Sequence, residues 1–383
     1  MNSQQRLDHL DFLDFLRGLA AFLVYLFHAR VASCNIFCDT TSSSFVHLNP
    51  KILGESLITL FCFMSANGGI GVAMFFALSG FCIHLAYLRK PDWKEFFVRR
   101  FFRIYPLYIF TVFVFAGLFP LTRTSDSGQI FSHVLLVHNL NSLYSSGINA
   151  AYWSIGVEFQ LYLVYPLLVL LVFKFGWKAS LSALLLIELC LRALFYTHLR
   201  GAFVAYSPFT FWFSWAIGAY AADCLYHGRK NELIRLSPPW LFVAAACISL
   251  LPVFENLKFT LFSLATCAWI SRRISALPAK RSLVIDYFKD VGKVSYSVYL
   301  LHYPLLSWLS GLYIHKGENT FWHCQFVFVL FLLFWFVTML LSKLTYALIE
   351  VPGQELGKRL AIWRGKACDQ KILQKKTLKY EAQ

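Results

Sequence analysis

Two residues that a bilayer makes expensive stand in one apolar run of the chain. Leu10 to Arg30 reads LDFLDFLRGLAAFLVYLFHAR, long enough to cross a membrane, and it contains Arg17 and His28. On an α-helix their spacing is three turns and about 20°, so both side chains occupy one face, roughly 16 Å apart in depth. An arginine at mid-membrane depth costs about 3 kcal/mol on insertion scales and is by default a functional hypothesis. Arg17 can instead pair with Asp14 one turn away, but that pairing leaves His28 unexplained.

Other chemistry-bearing residues recur at matching depths in later apolar runs. RRFFRIYPLY carries Arg100 and Arg103 one turn apart where a span begins at 104. Two guanidiniums beside the unpaired N–H groups of a helix start suit a phosphate-rich ligand, with Pro106 fitting that start; the same pair also serves as a basic anchor. AYWSIGVEFQLYLVYP places Glu158 inside the membrane, where a carboxylate needs a partner. His28 and His302, the latter in VSYSVYLLHYP, share its outer half and are the candidates. Ser79 and Gly80 fall at mid-depth of GGIGVAMFFALSGFCIHLAYL, small enough for close helix packing and placed to line a channel. Tyr105, Tyr152 and Trp153 lie at span ends, where amphipathic rings anchor.

These residues are positioned by a chain of 383 residues that is 58% hydrophobic and only 14% charged, far from soluble-domain composition. The expected fold is all-α, a polytopic membrane protein of about ten transmembrane helices, near 10–30, 69–88, 104–120, 153–173, 179–196, 209–226, 240–254, 259–272, 292–314 and 324–349. Residues 1–350 form the transmembrane domain and 351–383 a basic cytoplasmic tail. No cleavable signal is expected, since acids occupy the place of a basic leader. With the N-terminus in the cytoplasm, 26 Lys and Arg residues fall in inner segments and six in outer ones. That asymmetry puts both termini inside and accounts for the net charge of +15 without nucleic acid. Among the ten cysteines, Cys82, Cys190, Cys224, Cys247 and Cys267 read as small core residues, and Cys34 and Cys38 as a weak pairing signal.

With these motifs in order, the chain resembles the acyltransferase-3 family of integral membrane O-acyltransferases of cell-surface carbohydrates. The motifs are the Arg17-to-His28 pair, FFALSGF at 75–81, RRFFRIYP at 99–106, WSIGVEFQLYLVYP at 153–166, SYSVYLLHYP at 295–304 and IEVP at 349–352. The resemblance implies a ten-helix core, an acyl-CoA donor, most simply acetyl-CoA, on the cytoplasmic side, His28 as catalytic base, and functional roles for Arg17, Arg100, Arg103 and Glu158. His302, Ser79 and Trp153 become supporting or substrate-side residues; no metal is implied. Phe159 and Val351 stand where relatives often carry polar or basic residues, which bears on acceptor specificity. Without an esterase-like C-terminal domain the chain resembles stand-alone members. The expected protein is an inner-membrane enzyme whose partners are the lipid bilayer, acyl-CoA and a carbohydrate acceptor such as O-antigen or exopolysaccharide. A proton-coupled transporter or flippase is the alternative, since intramembrane His, Glu and Arg also build proton relays; a non-catalytic scaffold would leave those residues costly and idle.

Overall fold

In hydrocarbon an apolar segment satisfies its backbone only as a helix or a closed barrel. The computed structural model, which describes residues 3–39, 47–48, 69–118, 127–196, 201–248, 257–274, 282–313 and 321–362, accordingly makes the described part of every predicted span helical. In order these are α1 (Ser3–Phe37), α2 (Gly69–Arg89), α3 (Trp93–Leu118), the short α4 (Ser127–Val134), α5 (Trp153–Tyr196), the one-turn α6 (Ala202–Tyr206), α7 (Trp212–Tyr226), α8 (Pro238–Ile248), α9 (Lys258–Ile274), α10 (Leu283–Lys293), α11 (Ser295–Tyr313) and α12 (Phe321–Thr345). α5 holds the fourth and fifth spans, separated by the non-helical Gly176 (φ 75°, ψ 167°). α12 continues through a π-turn, Tyr346–Glu350, into helix 351–362. Strand is confined, among the described residues, to two-residue pairs, Cys38–Asp39 against His47–Leu48. Among the described residues, five helical stretches are long and apolar enough to cross a membrane by length and composition. The chain is an all-α, multi-pass membrane protein.

Small residues set which helices touch. A Cβ on Gly80 of α2 would lie 1.9 Å from the Trp215 carbonyl oxygen of α7, and one on Gly218 of α7 would lie 2.0 Å from that of Ala77. The two backbones therefore meet directly, as small residues permit. Gly18 and Gly292 join α1 to α10 in the same reciprocal way. α10, which the span count treated as inner loop, keeps Leu283 and Val284 exposed and ties Lys289 to Asp11 of α1 at 2.9 Å. That hydrogen bond holds the Lys289 ammonium above its ordinary pKa.

α3 departs from expectation at its start. It begins at Trp93, not near 104, because Asp92 caps it: the Asp92 Oδ1 accepts from the N–H of Lys94 (2.9 Å) and of Glu95 (3.0 Å). Arg100, Arg103 and Pro106 thus lie inside the helix, where N–H groups are already engaged, and the helix-start argument for the arginines does not hold. At the chain's other end, position 351 falls within a continuous helix, and Gly353 and Gly357 let that helix rest on Pro106 and Phe102 of α3. Residues 363–383 lie outside the described residues.

A buried ion pair unremarked in the sequence pins three helices. Glu188 of α5 is 0% exposed and accepts from Arg192 (3.0 Å), from the Ser214 backbone N–H (3.1 Å) and hydroxyl (2.8 Å) of α7, and from Thr260 of α9 (2.6 Å). Removing one partner of a buried pair strands the other charge, at a cost of about 3–5 kcal/mol, whereas apolar replacement of both is often tolerated. Glu188→Ala is therefore expected to lower the melting temperature in detergent more than the double variant Glu188→Leu/Arg192→Leu. A double variant as unstable as the single one would refute that account.

Some sequence-based roles change. Tyr152 is not an interfacial anchor: it is 0% exposed and donates to Thr111 Oγ1 at 2.7 Å. Trp153 is half-buried against Tyr206 and Phe211. Cys224 and Cys267 are buried, but Cys190 is exposed and Cys82 contacts Arg17. The side chains of Cys34, Cys38 and Cys247 lie outside the described residues.

Candidate functional site

A cavity of about 290 Å³ runs along α2 between α1, α3, α5 and α11. Its lining on α2 extends from Arg89 to Val72, a rise of about 25 Å. Three zones follow one another along it, differing in the side chains that the five helices contribute.

The basic zone holds Arg89, Arg100 and Arg103. Neighbouring cations on the same stretch are neutralised: Glu95 pairs with Lys90 and with Arg99 at 2.5 Å. Among the described residues Arg89, Arg100 and Arg103 have no such pair, and the Nε of Arg100 is buried without a hydrogen-bond partner. A buried polar group left unmatched is costly, so an acceptor at this cluster would be stabilising. Beside it, the buried carboxylate of Glu350 braces α12 to α11, accepting from Ser297 at 2.9 Å, and is an electrostatic neighbour of Arg103.

The middle zone is a polar ring. Arg17 binds Asp14 at 2.7 Å and also donates to the Cys82 sulfur at 3.1 Å, so the anticipated Asp14 pairing and exposure to the cavity coexist. Glu158 accepts from Ser79 at 2.8 Å and from the hydroxyl of Tyr162, and the Trp215 indole donates to Ser79 at 3.2 Å. Glu158 therefore finds hydroxyl partners rather than either histidine. The two are kept apart because Ser154, one turn outward of Glu158, bonds Tyr299, one turn inward of His302; the separation is about 10 Å of helical rise.

The outer zone is apolar, with Val72, Phe75, Phe76 and Ile155 around the Tyr299 ring. Directly beyond Tyr299 the two histidines meet, His302 Nε2 to His28 Nδ1 at 3.0 Å. His302 Nδ1 lies 2.7 Å from the Tyr299 carbonyl and 3.1 Å from that of Val298. Carbonyls only accept, so that nitrogen carries the proton, and His302 Nε2 is an acceptor. His28 Nδ1 must then donate, either to His302 or to the Val24 carbonyl at 3.1 Å. Both choices leave His28 Nε2 with a free lone pair, the form a general base requires.

The structure thus gathers Arg17, Ser79, Glu158, Arg100 and Arg103 around one cavity and pairs His28 with His302 beyond its end. Trp153 does not line the cavity; it packs on Phe76, which does. Sequence reading missed Tyr162, Trp215, Tyr299, Cys82 and the part played by Arg89. Tyr162 follows Glu158 by four residues, a spacing that could have been read. Trp215 reaches Ser79 across 136 positions, which no local pattern signals.

A family profile described as "Acyltransferase domain" matches residues 10–342. Among curated proteins, the chain is similar to the peptidoglycan O-acetyltransferase OatA of Listeria monocytogenes, 25% identical over 79% of this chain and 56% of that protein. It is also similar to the acyltransferase MdmB of Streptomyces mycarofaciens, 31% identical over 42% of this chain and 40% of the other. The O-acetyl transferase of Shigella phage Sf6 is 29% identical over 27% of this chain and 35% of its own length. The chain spans about half the length, or less, of these relatives. No solved structure matches at a significant level. Since the profile covers most of the chain, from the first span to the last, the chain belongs to the acyltransferase-3 family of integral membrane proteins.

Proposed function

We propose that this protein transfers an acyl group, most simply acetyl, from acyl-CoA to a hydroxyl of a cell-surface carbohydrate. The observation that carries the reading is the cavity itself: guanidiniums without a salt bridge at one end, and, just beyond Tyr299 at the other, a histidine pair with one free lone pair. Arg100 and Arg103, with Arg89, take the donor's phosphates, since guanidinium forks match phosphate oxygens. The pantetheine arm threads past Arg17, Glu158 and Ser79, and the thioester comes to rest near Tyr299. The relatives named O-acetyltransferases support the reaction class.

In the chemical step His28 Nε2 takes the proton of the acceptor hydroxyl. The oxygen attacks the thioester carbonyl carbon, the C–S bond breaks, and CoA leaves as thiolate to be protonated. A hydroxyl is a poor nucleophile at neutral pH, and a positioned base contributes about 10²- to 10⁴-fold. His302 acts through His28 by holding its Nδ1–H. Trp153 supports the wall through Phe76. The acceptor approaches from the side of His28, opposite the phosphates.

That geometry requires the basic zone to face the cytoplasm, in agreement with the 26 to six division of Lys and Arg. Both termini are then cytoplasmic and the membrane is the inner, or plasma, membrane. Reporter fusions at Gln383 and within Thr40–Ser44 are expected to read inside and outside respectively; the reverse pattern would put the donor site on the wrong face. The activity itself is tested with purified protein and radiolabelled acetyl-CoA, and by mass spectrometry of surface polysaccharide with and without the gene. Release of CoA and a missing acetyl increment are expected. Sugar transport into vesicles with no acyl-CoA turnover would replace this reading with a transporter.

A further inference from the structure

Two aromatic rings from different helices, Tyr299 and Phe75, line the apolar end of the cavity. The Tyr299 hydroxyl is anchored to the opposite wall, 2.6 Å from Ser154 Oγ and 3.1 Å from the Ala151 carbonyl. The ring thus spans from α11 to the start of α5. Phe75 of α2 meets it edge-on, centroids 5.7 Å apart at 84°. Behind Tyr299, 5.5 Å between centroids, is the His302 ring. The lining also changes character along its length. The cations and hydroxyls stop at the level of Ser79 and Glu158, and the last stretch before the rings is apolar apart from Ser154.

We propose that Phe75 and Tyr299 form a ruler for the acyl chain, restricting the donor to short acyl groups. The inference rests on the donor reading above. An acyl-CoA lying with phosphates on the arginines presents its acyl carbons to this apolar end, and the rings set how many carbons fit. Tyr299 is held at both ends of its ring system, by its own backbone and by Ser154, so it does not yield readily. Packed walls of this kind tolerate extra methylenes poorly, and a pocket distinguishes one methylene by about 10- to 200-fold. Phe75 is only partly buried and has no polar anchor, so it is the wall whose removal lengthens the slot.

The test uses purified full-length protein in detergent and a series of non-hydrolysable thioethers, S-ethyl-, S-butyl- and S-hexyl-CoA, with acetyl-, butyryl- and hexanoyl-CoA turnover measured alongside. The parent is expected to bind S-ethyl-CoA at least about tenfold more tightly than S-hexyl-CoA. Phe75→Ala is expected to reduce that ratio at least about tenfold, and Phe75→Leu, a milder change to the fold, to reduce it partly. Tyr299→Phe, which keeps the ring but loses the bond to Ser154, should keep part of the discrimination. Equal binding of all three analogues by the parent, or a parental ratio in Phe75→Ala, would overturn the ruler while leaving the donor site intact. Failure of the parent to bind any analogue would instead overturn the donor reading, and this inference with it.

Discussion

Replacing both Arg100 and Arg103 with glutamine is expected to weaken acyl-CoA binding by roughly a hundredfold or more. The estimate follows from the loss of two charge-assisted hydrogen bonds at about 1.5–3 kcal/mol each, with about 1.4 kcal/mol per tenfold. The control is Arg99→Gln on the same turn of α3. Arg99 already spends its charge on Glu95, as does Lys90, whereas Arg100 and Arg103 line the cavity without a salt bridge among the described residues. All three changes remove positive charge from the same stretch of α3, so a topological anchor would make them equivalent, charge for charge. A ligand site makes the double variant severe and Arg99→Gln close to neutral. Isothermal titration with CoA, with membrane insertion checked in parallel, decides it: parental affinity in the double variant would reduce the pair to an anchor.

The two arginines also mark the limit of what the sequence can reveal. Their types and one-turn spacing were legible. Their position inside α3 was not. The stretch WKEFFVRRFFR is too charged for hydropathy to count as membrane helix, yet the Asp92 cap and the Glu95 pairs keep it helical, and the helix runs on into the apolar part. The apolar spans themselves were readable because in hydrocarbon no other backbone solution exists. Which polar residue meets which was not readable, because those meetings join distant segments. From span boundaries alone Glu158 and His28 fall in the same half of the membrane, which invited pairing. The Tyr299–Ser154 bond stands between them, and it links α11 to α5 across 145 positions. Likewise Glu188 and Arg192 form an evident i, i+4 pair, but the three further donors that make its burial tolerable come from α7 and α9.

His28→Ala is expected to insert normally, bind CoA as the parent does, and lose at least about a hundredfold in acyl transfer, the lower end for general base catalysis. Insertion should survive because alanine is the best helix former, and CoA binding should survive because the basic zone lies at the far end of the cavity. His302 gives the sharper test of the arrangement: in the proposed mechanism it accepts the Nδ1 proton of His28 at 3.0 Å, while its own Nδ1 faces the Tyr299 carbonyl at 2.7 Å. His302→Gln retains an acceptor in its amide oxygen and is expected to keep more transfer activity than His302→Leu, which has none. On the proposed mechanism the effect should appear in kcat with little change in KM for the donor, because His302 lies beyond the cavity, away from the basic zone. A purely structural His302 would make the two variants fall together with their stability. A His302 that is itself the base would leave His28→Ala near parental and make Gln as damaging as Leu. Near-parental transfer in His28→Ala ends the mechanism; parity between His302→Gln and His302→Leu, with His28→Ala inactive, ends only the proton-holding role.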